Sequence, residues 1–228
     1  MGDFTSKDIR QILVQLFVLV ISVAIHEFGH AIMADKLGDD TPRRQGRVTL
    51  NPIAHADPVG TLILPVVSGV FSAMGGLGGI GWGRPVQWQP SKVNRKWSMA
   101  TASILVAIAG PGMNFVLGTL TAVVHVLLVW RGVISHDGDV SQILGIVVGT
   151  NYILMFFNLL PFPPLDGGHV AQHLMPYRYR AHYDQYAKYA PFALLVVIAV
   201  PQVGQVFSLP AEWLARHVYM LLQLPFGG

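Results

Sequence analysis

Between Arg10 and Asp35 the chain carries one formally charged residue, Glu27, in a run that is otherwise largely apolar from Ile12 to Ala34. A bilayer core requires about 20 apolar residues of helix, and a helix satisfies its backbone hydrogen bonds internally, as a lipid environment demands. The run therefore predicts a membrane span over Gln11–Ala34. Its polar residues are clustered as His26-Glu27-Phe28-Gly29-His30. Ionisable side chains at membrane depth are expensive and mark functional sites by default. At 3.6 residues per turn, His26 and His30 share one helix face. Two imidazoles so placed can bind one Zn²⁺, with Glu27 beside them as general base. The competing reading is a chance match, or a polar patch lining a helix bundle. The scarcity of charge around the motif favours the metal.

The rest of the chain supports a membrane setting. Only 12% of its residues are charged and 52% are hydrophobic, where soluble domains average about 25% charged. Residues 1–228 read as a single integral-membrane domain rather than two soluble ones. With no cysteine, disulfides and cysteine zinc sites are excluded. The net charge of +3 sits on loop residues, which argues against nucleic acid as a partner. No cleavable signal peptide is expected, because the first apolar stretch carries the metal motif.

The expected fold is an all-α polytopic helical bundle with a re-entrant or short β-like segment between the first two long spans. Pro58–Ala73 is apolar but short, and Met74–Gly83 is too glycine-rich for a stable helix. Arg84–Pro90 alternates weakly, like an edge strand, and residues 74–90 could pair with an extended substrate or form a structural hairpin. Ser98–Trp130 is a second long run, with a kink or break expected at Gly110-Pro111-Gly112. Ile143–Leu160 is a third span and Pro191–Phe207 a fourth, with Pro201 inside it. Leu214–Leu224 reads as an interfacial helix. If 58–83 returns to the side it left, eleven Lys/Arg fall in loops 35–57, 84–97 and 166–190, against four elsewhere. The positive-inside rule then makes those loops cytoplasmic.

A catalytic zinc usually has three protein ligands and one open position. The best third ligand is Asp166, in Asn158-Leu159-Leu160-Pro161-Phe162-Pro163-Pro164-Leu165-Asp166-Gly167-Gly168. Three prolines and two glycines make this stretch non-helical. Alone, Asp166 could equally be the N-cap of a helix beginning near His169.

The two motifs together resemble those of the site-2 protease family of intramembrane zinc metalloproteases, in its compact prokaryotic form. Leu50–Gly60, Gly81–Val86 and Ala109–Asn114 extend the resemblance over roughly residues 20–175. No polar gap is long enough for a PDZ domain. The resemblance implies one Zn²⁺ per chain held by His26, His30 and Asp166, with Glu27 as general base and proton shuttle. It implies substrates that are transmembrane helices of other membrane proteins, cut in or near the bilayer of a prokaryotic cell membrane. Asn114 and Asn158 would hydrogen-bond the substrate backbone or the developing oxyanion, or else tie helices together. The rival function is a membrane zinc transporter or a non-catalytic zinc-binding scaffold using the same ligands. Oligomeric state is open. His169 and His173, also one turn apart, read as surface-helix residues rather than a second metal site, and His55 and Asp57 as turn residues.

Overall fold

The computed structural model describes residues 6–63, 83–199 and 201–224. Helix α1 spans Ser6–Leu37, α2 Thr41–Arg44 and α3 Pro52–His55; a π-helical turn follows at Pro58–Ile63 and a 3₁₀ turn at Pro90–Lys92. Then come α4 (Met99–Trp130), α5 (Asp139–Asn158), α6 (Asp166–Leu174), α7 (Tyr177–Ala199) and α8 (Pro201–Gln223). Among the described residues there is no strand. Among the described residues, three helices are long and apolar enough to cross a membrane: Ile9–Leu37, Met99–Trp130 and Asp139–Asn158.

Local chemistry sets the helix ends. Helix α1 stops where Gly38 takes φ +112°, a conformation glycine adopts without steric penalty. The Asp39 amide turns back onto the Ala34 carbonyl at 3.0 Å. Helix α4 starts at Ser98, whose side chain accepts the Thr101 amide, satisfying a donor the first turn would leave open.

The central element is α4, which contacts α1, α5, α6 and α8. Near its start, Ala102 and Val106 pack with Ala34 and Leu37 of α1. Further along, Ala122 packs with Val148 and Tyr152 of α5 and Ala211 of α8. Leu13 and Phe17 of α1 and Phe115, Leu120 and Val124 of α4 stay exposed. A bilayer covers such a face; water would not.

Several expectations are revised. The run at Ser98–Trp130 is one helix through Gly110-Pro111-Gly112. Pro111 removes one backbone donor, and bundle helices tolerate this because neighbouring groups compensate. The expected fourth span at Pro191–Phe207 falls on α7, described to Ala199, and α8, described from Pro201; Val200 between them lies outside the described residues. Leu214–Leu224 is not a separate interfacial helix. Leu214, Ala215, Val218, Tyr219 and Leu222 pack onto α4 and α5.

The expected edge strand at Arg84–Pro90 is irregular chain up to Gln89, and Pro90 opens the 3₁₀ turn. Pro85 and Pro90 have no N–H to give a ladder. The Arg84 amide donates to the His55 carbonyl (2.9 Å), the Val86 amide to Glu27 Oε2 (3.1 Å) and the Gln89 amide to Asp39 Oδ2 (2.5 Å). The glycine-rich part of the expected re-entrant segment, residues 64–82, lies outside the described residues.

Candidate metal centre

Helix α1 carries His26 and His30 on one face, as their spacing requires, with ring centroids 4.7 Å apart. Helix α4 crosses close by. A side chain at Gly29 would meet the Ala109 carbonyl, and one at Gly110 would meet both histidine rings. Asp166 is the first residue of α6 rather than its N-cap, which is Leu165. Gly167 folds back so tightly that a Cβ there would stand 2.2 Å from the Leu159 carbonyl oxygen. The prolines and glycines of the second motif thus make a turn that delivers Asp166 to α1. Tyr183 of α7 braces it, its hydroxyl donating to the Gly168 carbonyl at 2.6 Å.

Three side-chain atoms converge. His26 Nε2 lies 3.1 Å from His30 Nε2; Asp166 Oδ2 lies 3.1 Å from the first and 3.4 Å from the second. Tetrahedral ligands at zinc bond lengths stand about 3.3 Å apart. The protons are elsewhere on both rings. His30 Nδ1 lies 2.7 Å from the Val106 carbonyl, which can only accept, so this nitrogen is the N–H. His26 Nδ1 lies 2.7 Å from Asn114 Oδ1. Asn114 Nδ2 donates to the Ser22 carbonyl (3.2 Å) and to Asn151 Oδ1 (2.8 Å), which fixes the oxygen toward His26. In their neutral form both rings therefore present the Nε2 lone pair, and buried Asp166 Oδ2 has no hydrogen-bond donor. Three such atoms repel unless a proton or a metal cation lies among them. The donor set fits Zn²⁺.

The ionised carboxylate of Asp166 is the form that ligates a metal. Glu27, 9% exposed, holds the Val86 amide through Oε2.

The model of Peptidase family M50 matches residues 132–200, which include the second motif. The chain is 36% identical over 191 residues to "Putative zinc metalloprotease YwhC" of Bacillus subtilis, covering 82% of this chain and 80% of that one. It is 33% identical over 215 residues to "Putative zinc metalloprotease Rip2" of Mycolicibacterium smegmatis, covering 88% and 74%. This chain belongs to peptidase family M50, the site-2 zinc metalloproteases.

As an M50 peptidase it is a zinc metalloendopeptidase with three apolar helices suited to a bilayer. No solved structure matches it. The six residues singled out in sequence divide in space. His26, His30 and Asp166 meet, Glu27 lies next to His26 in the chain, and Asn114 stands behind His26. Asn158 Nδ2 donates to the Leu154 carbonyl one turn back in α5 (2.9 Å). It makes no hydrogen bond to the cluster among the described residues. His55 Nε2 is 2.8 Å from the Thr49 carbonyl, and His173 Nδ1 is 3.0 Å from the His169 carbonyl; both are local ties. Sequence reasoning missed Ser22 and Asn151. A lone polar residue in an apolar span was the available signal.

Proposed function

We propose that this M50 peptidase is a multi-pass protein of a prokaryotic cell membrane that cuts transmembrane segments of other membrane proteins. The carrying observation is the convergence of His26 Nε2, His30 Nε2 and Asp166 Oδ2, beside Glu27, with both histidines on a helix apolar enough to cross the bilayer. These three side chains hold one Zn²⁺. Bound there, zinc polarises a peptide carbonyl and acidifies water. Glu27 takes the proton from the attacking water and passes it to the leaving amine. Its fixed hydrogen bond to Val86 keeps that carboxylate in place. Asn114 holds the His26 ring. Asn158, at the start of the second motif, is left with one amide hydrogen for a substrate carbonyl. A helical substrate must unwind to enter, because its amides are engaged in internal hydrogen bonds.

The test is zinc-loaded protein in bilayers with a panel of single-span membrane proteins. Fragments are expected whose new ends, read by mass spectrometry, lie in or beside the apolar segment, and a chelator should abolish them. If the wild type carries Zn²⁺ across the bilayer and cuts no member of the panel, the reading is wrong.

A further inference from the structure

Behind the metal centre, four side chains form a hydrogen-bond chain with a fixed direction. It begins at the Val147 carbonyl of α5, which accepts from Asn151 Nδ2 at 2.8 Å; the same nitrogen donates to Ser22 Oγ at 2.9 Å. With both amide hydrogens engaged, Asn151 turns its oxygen to Asn114. Asn114 Nδ2 donates to that oxygen and to the Ser22 carbonyl, so its own oxygen faces His26 Nδ1. The carbonyls of Val147 and Ser22 only accept. Flipping either amide would set oxygen against oxygen, so the direction does not depend on how the amides were assigned. A neutral His26 ring therefore carries its proton on Nδ1 and its lone pair on Nε2.

Asn114 and Asn151 are 0% exposed and Ser22 is 1% exposed. Burying three polar side chains in an apolar bundle is unfavourable unless all are satisfied. His30 reaches the same tautomer in one step, through the Val106 carbonyl. Only the His26 arm is built from side chains.

We propose that Asn151 and Ser22 are positioning residues for the zinc site, holding His26, through Asn114, in the tautomer whose Nε2 is free to ligate. This rests on His26, His30 and Asp166 being the zinc ligands. Partners that orient a metal-bound histidine typically contribute 10–100-fold in metal affinity. A plain tie between helices would contribute to stability alone.

The experiment uses full-length protein in detergent, with three readouts: zinc affinity by chelator competition, the His26 tautomer by long-range ¹H–¹⁵N correlation, and thermal stability. Asn151→Leu should weaken zinc binding about 10–100-fold and mix the His26 tautomers. The control is Thr119→Val, which severs the 3.0 Å bond from Thr119 Oγ1 to the Tyr152 hydroxyl between the same two helices. It should lower stability and leave zinc affinity and tautomer unchanged. Should Asn151→Leu not fold, Ser22→Ala removes one acceptor and should weaken zinc binding roughly two- to tenfold. Asn151 and Ser22 variants that melt lower yet bind zinc as the wild type does, with one His26 tautomer, would overturn the proposal. Zinc retained at full occupancy after His26→Ala with His30→Ala would instead overturn the ligand assignment beneath it.

Discussion

Gly110 of α4 lies so close to His30 of α1 that a methyl carbon in place of its hydrogen would stand 2.4 Å from His30 Nε2. The same carbon would be 2.8 Å from His26 Cε1. Small residues let membrane helices approach closely, and here the approach brings α4 against the proposed ligand atoms themselves.

Gly110→Ala should therefore lose zinc, while Gly112→Ala, which meets nothing within 4 Å, should keep it. Both changes raise helix propensity by about 0.5–1 kcal/mol, so propensity cannot account for a difference. Zinc content by atomic spectroscopy decides; equal zinc in the two variants would show that the contact is dispensable.

Glu27→Gln should keep zinc and lose about 10²–10⁴-fold in cleavage rate, the usual contribution of a general base. The glutamine carbonyl can still accept the Val86 amide, so the fold should be undisturbed. Single-turnover cleavage beside a zinc assay checks this. A variant that cuts at the wild-type rate would remove Glu27 from the chemistry.

Asp39 predicts a pH dependence. Burial would raise its carboxyl, but bonds from the Thr41 hydroxyl and the Gln89 and Thr41 amides, with Lys92 nearby, lower it below its usual 3.8. A lowered folded-state value means the stabilisation is present above about pH 4 and is lost as pH falls through the folded value. Asp39→Asn should cost about 1–3 kcal/mol, constant between pH 6 and 8. The gap to wild type should narrow on acidification. Thermal melts of both proteins from pH 7 downward measure it.

Single cysteines should report the topology. Lys92 Nζ donates to Thr41 Oγ1 at 3.1 Å and the Asn94 amide to the Leu37 carbonyl at 2.8 Å, so the loops around residues 41 and 92 share one end of the bundle. Helix α4 then runs about 48 Å before the loop holding Asp137. Arg44→Cys and Lys92→Cys should be labelled from the cytoplasm and Asp137→Cys from outside, given the excess of basic residues near the first two. Opposite labelling of residues 44 and 92 would contradict this arrangement.

The metal cluster was legible because its chemistry is local. A four-residue spacing places two imidazoles on one face, and a proline-rich turn leading into Asp166 marks a carboxylate at a sharp change of chain direction. The support behind it was not legible in the same way. Asn151 and Ser22 are 129 residues apart, and no periodicity links them. Gly110-Pro111-Gly112 reads locally as a break, yet α4 continues through it; Gly110 serves the crossing with α1 instead. Val86 and Trp88 alternate as a strand would, but the acceptors waiting for this segment are Glu27, Asp39 and the His55 carbonyl.

The hydrogen bond from the Arg84 amide to the His55 carbonyl ties the two ends of the intervening chain together. Closing a loop twice as long costs only about 0.6 kcal/mol more. Lengthening or shortening the chain between these two tied ends should therefore cost the helices that carry His26, His30 and Asp166 little stability.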